Sequence, residues 1–107
     1  MSFTDALWGG LLKSFAFDPV THECVLEIAV EEQSRSTTHV LLCADVTDLR
    51  FYSDIPGPWN YAEVTEAEAA FDEIARCWRL EFMLWSEGAG LALRCAQISL
   101  DGCLQGI

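Results

Sequence analysis

Two stretches of strict alternation between apolar and polar residues constrain the fold of this chain more than any other feature. From Glu23 to Glu31, the side chains of Cys24, Leu26, Ile28 and Val30 fall on one side and mostly acidic side chains on the other. Trp78, Leu80, Phe82 and Leu84 alternate with Arg79 and Glu81 in the same way. Successive side chains of a strand point to opposite faces. Both stretches are therefore predicted to be strands with one face in a core.

Four further segments are predicted to be extended: Leu11–Asp18, Thr38–Val46, Leu49–Ser53 and Leu91–Leu100. The connections are short, with a turn at Asp18-Pro19, a polar hairpin loop over residues 32–37 and a glycine-containing turn over residues 86–90. Parallel neighbours need crossovers of a dozen residues or more, so short turns favour an antiparallel meander. No internal repeat is visible along the chain.

One helix is predicted over residues 66–75. Thr65 followed by Glu68 fits a capping box, Ala67 and two further alanines favour helix, and Phe71 belongs to an apolar stripe at helical spacing. A short helical turn is also expected at residues 4–10, ended by two glycines. The predicted fold class is α+β: a mainly antiparallel sheet of five to six strands, as a meander or a small sandwich, with this one short helix. A chain of 107 residues is expected to form a single domain, 1–107.

The charge balance excludes several classes of function. There are 17 acidic and 6 basic side chains, giving a net charge of −11. Binding to phosphates or anionic lipids depends on a surplus of Lys and Arg, so neither nucleic acid nor membrane is an expected partner. Apolar residues make up 51% of the chain, too many for a disordered acidic tail. The opening residues lack the basic and apolar regions of a secretory signal, so a cytoplasmic location is expected.

The cysteines predict neither a disulfide framework nor a metal site. They stand at Cys24, Cys43, Cys77, Cys95 and Cys103, an odd number without the close pairs of a zinc site. Reduced thiols packed as small hydrophobic side chains are expected, with Cys103 the most exposed. The carboxylates lack the spacing of a calcium loop, and the glycines lack the lysine of a phosphate loop. The expectation is therefore no metal and no cofactor.

Residues 54–73 carry the features that favour binding to a protein. This span holds six acidic residues and no Lys or Arg, and its aromatic residues lie beside a Pro-Gly-Pro sequence. An acidic surface steers a basic partner, and rigid aromatic side chains anchor it. The predicted partner-binding residues are Trp59, Tyr61, Glu63, Glu66, Asp72 and Glu73. The alternative is that the acidic residues form a solvated helix face and Trp59 plugs the end of the core.

Three other hypotheses remain open from the sequence. Four Trp and six Phe suggest a small domain that binds an apolar molecule between sheet and helix. Cys77, Met83 and Trp85 lie on the face of their strand opposite the core. Self-association as a homodimer would be another way to cover that apolar face. An enzyme would need His22 or His39 beside a carboxylate or thiol in a cleft.

The sequence also resembles small acidic bacterial proteins of unknown function, including some immunity proteins of polymorphic toxin systems. The residues that carry the resemblance are Thr4-Asp5-Ala6 with the strand Leu11–Asp18, then Cys43–Phe51, Trp59–Glu63 and Leu93–Ala96. The resemblance implies a non-enzymatic, cytosolic, β-rich domain that inhibits a basic toxin by binding it. It assigns no role to an individual residue.

Overall fold

The computed structural model describes residues 3–106, which fold into two antiparallel sheets. A short 3-10 helix at Phe3–Leu7 precedes nine strands in this range: β1 (Leu11–Asp18), β2 (Glu23–Glu32), β3 (Arg35–Ala44), β4 (Asp48–Ser53), β5 (Val64–Asp72), β6 (Cys77–Leu84), β7 (Ser86–Cys95), β8 (Gln97–Leu100) and β9 (Cys103–Leu104). Sheet 1 has the order β1-β2-β3-β8-β9, and sheet 2 has the order β4-β7-β6-β5. The expectation of a mainly antiparallel β fold is confirmed, with nine strands rather than five or six. The expected domain limits, residues 1 and 107, lie outside the described range.

The core lies between the inner faces of the two sheets. Sheet 1 contributes Cys24, Leu26, Ile28, Leu41, Cys43 and Ile98, and sheet 2 contributes Val64, Leu80, Phe82, Leu84, Leu91, Leu93 and Cys95. The alternating stretches of β2 and β6 thus bury the side chains that the pattern predicted. Two sheets that bury one face each and leave the other in solvent form a sandwich.

The helix predicted over residues 66–75 is wrong, because this segment forms most of strand β5 and the turn after it. Strand β5 pairs with β6 along its length, from Val64 opposite Leu84 to Asp72 opposite Cys77. A ten-residue helix is marginal in isolation, whereas the strand satisfies its backbone on β6 and turns Ala67 into the core. Tertiary pairing therefore overrides the helix propensity of the alanines.

The turn predicted over residues 86–90 is also wrong, because these residues begin strand β7. The chain reverses at Trp85, which has a positive φ of 71°. Gly90 is required within the strand: a Cβ atom there would lie 2.6 Å from both the carbonyl oxygen of Phe82 and the hydroxyl of Tyr52. Gly90 thus lets the Tyr52 side chain of β4 lie close over the sheet.

The two halves of the chain have the same connectivity, although no repeat is visible in the sequence. Strands β1-β2-β3 form a meander in sheet 1, and β5-β6-β7 form one in sheet 2. The fourth strand of each half crosses over, so that β4 pairs with β7 and β8 pairs with β3. Cys43 lies opposite Cys24 and Cys95 lies opposite Trp78, at equivalent register positions. Each half is therefore incomplete without the other.

Backbone hydrogen bonds fix the connection between β4 and β5 at one corner of the sandwich. The amide of Gly9 donates to the carbonyl of Val64 and the amide of Val64 to that of Gly10, both at 2.7 Å. Leu12 donates to Ala62 at 2.8 Å. Segment 54–63 is thus held against the start of β1. No helix within residues 3–106 has the length and apolar character needed to cross a bilayer.

Candidate functional site

Segment 54–61 is an irregular loop whose conformation is set by its own hydrogen bonds. The indole nitrogen of Trp59 donates to the carbonyls of Ile55, at 3.3 Å, and Pro56, at 3.2 Å. The Ser53 hydroxyl also donates to the Ile55 carbonyl, at 2.9 Å. Trp59 is half-buried and packs against the core. The loop therefore presents this indole in one fixed orientation.

Aromatic side chains surround the loop and leave two clefts beside it. Tyr61 lies against Trp85, with ring centroids 4.6 Å apart, and Trp59 lies 6.2 Å from Phe51. The Phe51 cleft has a volume of about 540 Å³. It is lined by Leu11, Leu12, Lys13, Phe51, Ser53, Ile55 and residues 57–62. The Trp85 cleft has a volume of about 550 Å³ and is lined by Ile55, Pro58, Trp59, Asn60, Tyr61 and Trp85. Trp59 and Tyr61 are walls of both clefts.

Four carboxylates gather on the outer face of sheet 2, where they form what we call the acidic face: Glu66, Glu68, Glu81 and Glu87. Together with Tyr52, Phe82 and Met83 they line a cleft of about 190 Å³, and none of its described lining residues is cationic. Glu68 on β5 lies opposite Glu81 on β6. A hydrogen bond and charge repulsion from Glu68 raise the pKa of Glu66. The acidic face therefore concentrates negative charge at one end of the outer face, and Arg79 lies at its border in a neighbouring cleft beside Glu68 and Glu81.

The other half of the same outer face is basic. Arg79 lies opposite Arg94, and Arg50 lies opposite Ala92. Asp72 belongs to this half: backbone amides of Ala75 and Ile74 lower its pKa, with a smaller contribution from Arg79 and Arg94. Asp72 lies six positions further along β5 than Glu66, a distance of about 20 Å. Positive charge near Asp72 makes it a poor contact for a basic partner.

The structure brings together some of the predicted partner-binding residues and separates others. Trp59, Tyr61, Glu63 and Glu66 lie around one end of sheet 2, where the amide of Trp85 donates to the carbonyl of Glu63 at 3.1 Å. Asp72 and Glu73 lie in the turn at the far end of β5. The span 54–73 is therefore not one continuous acidic surface, because it runs along an extended strand rather than around a helix.

Sequence reasoning missed Glu81, Glu87, Tyr52 and Trp85. Alternation places Glu81 on the outer side of β6, but its position opposite Glu68 depends on the pairing of β5 with β6. Residues 86–90 were interpreted as a turn, which concealed Glu87. Met83 lies on the predicted self-association face, yet it lines the acidic cleft beside Tyr52. The surroundings of Met83 are therefore more polar than the apolar patch that the sequence predicted.

The cysteines and histidines form no arrangement suited to catalysis in the clefts described above. Cys24, Cys43 and Cys95 are fully buried, whereas Cys103 is exposed as predicted. Burial raises the pKa of Cys24, and a hydrogen bond with Cys95 together with burial raises that of Cys43. Buried neutral thiols are poor nucleophiles. Among residues 3–106, no three His, Cys, Asp or Glu side chains form a group that could hold a metal ion.

Each histidine has a structural partner outside these clefts. The Nδ1 atom of His22 lies 3.0 Å from the carbonyl oxygen of Val46, to which it donates. His39 Nδ1 donates to the Asp101 carboxylate at 2.8 Å. This hydrogen bond, followed by one from the Val40 amide, lowers the pKa of Asp101. His39 therefore does lie beside a carboxylate, but it lines neither the aromatic clefts nor the acidic one.

Comparisons with known proteins give no relative from which a site could be transferred. No protein-family model matches the sequence, and no curated protein sequence matches it significantly. The functional interpretation therefore depends on the geometry of the acidic face and the two aromatic clefts.

Proposed function

We propose that the chain is a non-catalytic protein-binding module that recognises a basic partner through the acidic face and the aromatic residues beside it. One observation carries the proposal: four carboxylates line a single cleft around Tyr52, and its described lining includes no Lys or Arg. Carboxylates that only stabilised the fold would be expected to pair with cations or backbone amides, as Asp72 does. The four carboxylates of the acidic face form no ion pair with a described Lys or Arg, although Arg79 borders Glu68 and Glu81.

Electrostatic steering is the first step of the proposed mechanism. The net charge of −11 attracts a basic protein over a distance set by the ionic strength, about 10 Å at 0.1 M salt. The acidic face orients the encounter because Glu66, Glu68 and Glu81 lie together on two paired strands. Steering of this kind raises the association rate more than it lowers the dissociation rate. Binding should therefore be strongly dependent on salt.

Aromatic anchoring is the second step. Tyr61 is 50% exposed and lies against Trp85 with the ring planes inclined at 51°, while Trp59 is held by its hydrogen bonds to carbonyls of the loop. Rigid aromatic side chains bury a large area on binding and lose little conformational freedom. Glu87 of the acidic face follows Trp85 by two residues, at the turn from β6 into β7. A single partner surface therefore contacts both.

The resemblance to immunity proteins extends this proposal to a class of partner. A basic toxin with a positively charged binding or active-site surface would match the acidic face in charge. A cytoplasmic location would place the chain where such a toxin acts. Under this proposal the chain inhibits by occupying that surface, without chemistry of its own.

Native mass spectrometry on protein purified gently from its host tests the proposal. The wild type is compared with two variants of equal charge: E66Q/E68Q/E81Q/E87Q removes the acidic face, and E23Q/E27Q/E31Q/E32Q removes four carboxylates of β2. We expect a basic protein at fixed stoichiometry on the wild type and the β2 variant, lost at high salt and lost from the acidic-face variant. A partner that stays on all three proteins would contradict the proposal. The same spectra report any homodimer.

The Phe51 cleft supports a second candidate function, the binding of an apolar small molecule. This cleft lies at the corner between β1 and the loop. The sequence predicted a binding site between the sheet and a helix, but the residues of that helix form strand β5. The lining is mostly apolar, and a volume of about 540 Å³ is in the range of small-molecule sites. A bound mass in the native spectrum that Phe51→Ala removes would favour this function. Binding that Phe51→Ala leaves unchanged would exclude this cleft.

A further inference from the structure

We infer that the Phe51 cleft binds a small apolar carboxylate, with the Lys13 ammonium group as the counter-ion of the carboxylate. This inference rests on the second candidate function, the binding of an apolar small molecule, and adds the charge of that molecule. It is carried by the charges of the cleft walls: among the described lining residues, Lys13 is the one cation, and none is Asp or Glu.

Lys13 is the only lysine of the chain, which carries 17 acidic side chains. Within residues 3–106, no carboxylate lies close enough to its ammonium group to form an ion pair. Asp54 and Glu63 adjoin lining residues in the sequence, but neither belongs to the lining. The Asp54 carboxylate lies over Gly88 of β7 instead. The unpaired ammonium group therefore makes an anion the complementary occupant of this cleft.

A β-bulge sets Lys13 beside the loop. The pairing of β1 with β2 shifts between Leu12 and Ser14, so Lys13 has no partner on β2. An extra residue of this kind is left out of the ladder, and its side chain is re-aimed. The other side of β1 is fixed to the loop, because the Leu12 amide donates to the Ala62 carbonyl at 2.8 Å. Lys13 thus lines the cleft that the loop encloses.

The other walls of the cleft suit an apolar body. The Phe51 side chain is 49% exposed, and its ring centroid lies 6.2 Å from that of Trp59. Leu12, Ile55 and Trp59 are half-buried and pack against the core, whereas Lys13 is exposed. The charge therefore stands at the mouth of the cleft and apolar surface lies deeper. An apolar molecule with a single carboxylate matches that arrangement.

The polar groups of the lining distinguish an anion from a neutral ligand only through Lys13. The indole N–H of Trp59 and the hydroxyl of Ser53 already form hydrogen bonds within the loop. Asn60 and Tyr61 each carry a donor and an acceptor, so they can bind anionic and neutral groups alike. An ammonium group only donates, and its charge favours a carboxylate over the corresponding amide.

A titration observed by NMR tests the inference, with 2-naphthoate as the probe and 2-naphthamide as its neutral match. Salt at about 0.15 M screens the net charge of the protein. We expect the indole N–H signal of Trp59 to shift, and those of Trp8, which donates to the Ala67 carbonyl, and of the buried Trp78 to stay. Selective labelling of lysine gives a single side-chain signal, because Lys13 is the only lysine. That signal should move more with naphthoate than with naphthamide.

Substitutions of Lys13 make the test specific for the charge. Lys13→Gln should weaken binding of naphthoate about 3- to 5-fold and leave that of naphthamide within about 2-fold of the wild type. Lys13→Arg keeps the charge and should bind naphthoate within about 2-fold of the wild type. Arg35→Gln, at the start of β3 and outside the lining, changes the net charge equally and should leave both affinities unchanged. The same spectra report whether each variant is folded.

Three results would overturn the inference: equal binding of naphthoate and naphthamide, an unchanged affinity of Lys13→Gln for naphthoate, or no shift of the Trp59 signal. The second candidate function would survive the first two results if Phe51→Ala still removed binding of both probes. If neither probe shifts the Trp59 signal, that function fails at this cleft together with the inference.

Discussion

Cys43 and Cys95 occupy equivalent positions in the two halves of the chain and lie close enough across the core for Cys95 to raise the pKa of the Cys43 thiol. Cys43 belongs to the third strand of the first half and Cys95 to the third strand of the second. Each of these strands pairs with the fourth strand of the opposite half. The exchange makes the two sheets mutually dependent, so the core around these thiols is expected to form in one cooperative step.

The burial of these thiols predicts their reactivity toward Ellman's reagent. In the native protein, Cys103 should react fast, because it is exposed, while Cys24, Cys43 and Cys95 react only after unfolding. Cys103→Ser should remove one thiol from the fast phase, which the half-buried Cys77 is the only other candidate to join, and leave the slow phase unchanged. Fast reaction of more than two thiols in the native protein would contradict the packing of the core.

The close approach of Tyr52 to Gly90 predicts a cost for any side chain at position 90. Gly90→Ala would bring a Cβ atom to 2.6 Å from the Phe82 carbonyl oxygen, so the strands must shift apart. We expect a loss of about 1–3 kcal/mol in the free energy of unfolding, measured with denaturant. Gly106→Ala is the matched control, since nothing lies within 4 Å of its Cβ position. Equal stability of the two variants would show that Tyr52 does not lie over Gly90.

The turns at Asp18 and Asp72 predict how stability depends on pH. In each turn the carboxylate accepts two backbone N–H hydrogen bonds, which lower its pKa below the ordinary value of 3.8. A lowered pKa in the folded state contributes stability above pH 3.8, and this contribution is lost as the pH falls through the folded pKa. The variant D18N/D72N should therefore lose less stability than the wild type between neutral pH and pH 3. Glu73→Gln is the control, and an unchanged acid slope in D18N/D72N would contradict the assignment.

Glu66 should behave in the opposite way. Its pKa is raised above 4.5 by Glu68, so any stability from the protonated form is present at low pH and lost as the pH rises through the folded pKa. At pH 7, Glu66→Gln should be at least as stable as the wild type, while its affinity for the basic partner falls. A variant that is less stable at pH 7 would indicate that Glu66 serves the fold rather than binding.

How far the sequence predicts this fold depends on the segment. Strands β2 and β6 are clear because one face of each is buried and the other is polar. Strand β5 was mistaken for a helix, although Glu66 and Glu68 alternate with Ala67 and Ala69 at the period of a strand. The alanines and the capping pattern favour a helix, and this local propensity is the stronger signal in the sequence. The pairing with β6 that decides for a strand is not visible in the local sequence. The exchange of β4 and β8 depends on contacts between distant residues, which single-sequence patterns do not encode.

The sequence predicts only part of the candidate site, because the rest depends on the same pairing of distant strands. The sequence predicts Trp59, Tyr61 and Glu66 as binding residues because they belong to an acidic, aromatic segment. Glu81 and Trp85 were missed because they join that segment only through the pairing of β5 with β6 and the turn into β7. Asp72 is predicted as part of one acidic span, 54–73, whereas the strand carries it to the basic half of the sheet.

The most direct test of the central claim is the association rate with the basic partner, measured by stopped flow over a range of salt. The proteins are the wild type, E66Q/E68Q/E81Q/E87Q and the β2 control E23Q/E27Q/E31Q/E32Q, the two variants having the same net charge. We expect the acidic-face variant to associate at least about 10-fold more slowly at low salt, with a flatter salt dependence. The β2 control should stay within about 3-fold of the wild type. An equal decrease in both variants would show that net charge alone steers the partner and would contradict a specific acidic binding face.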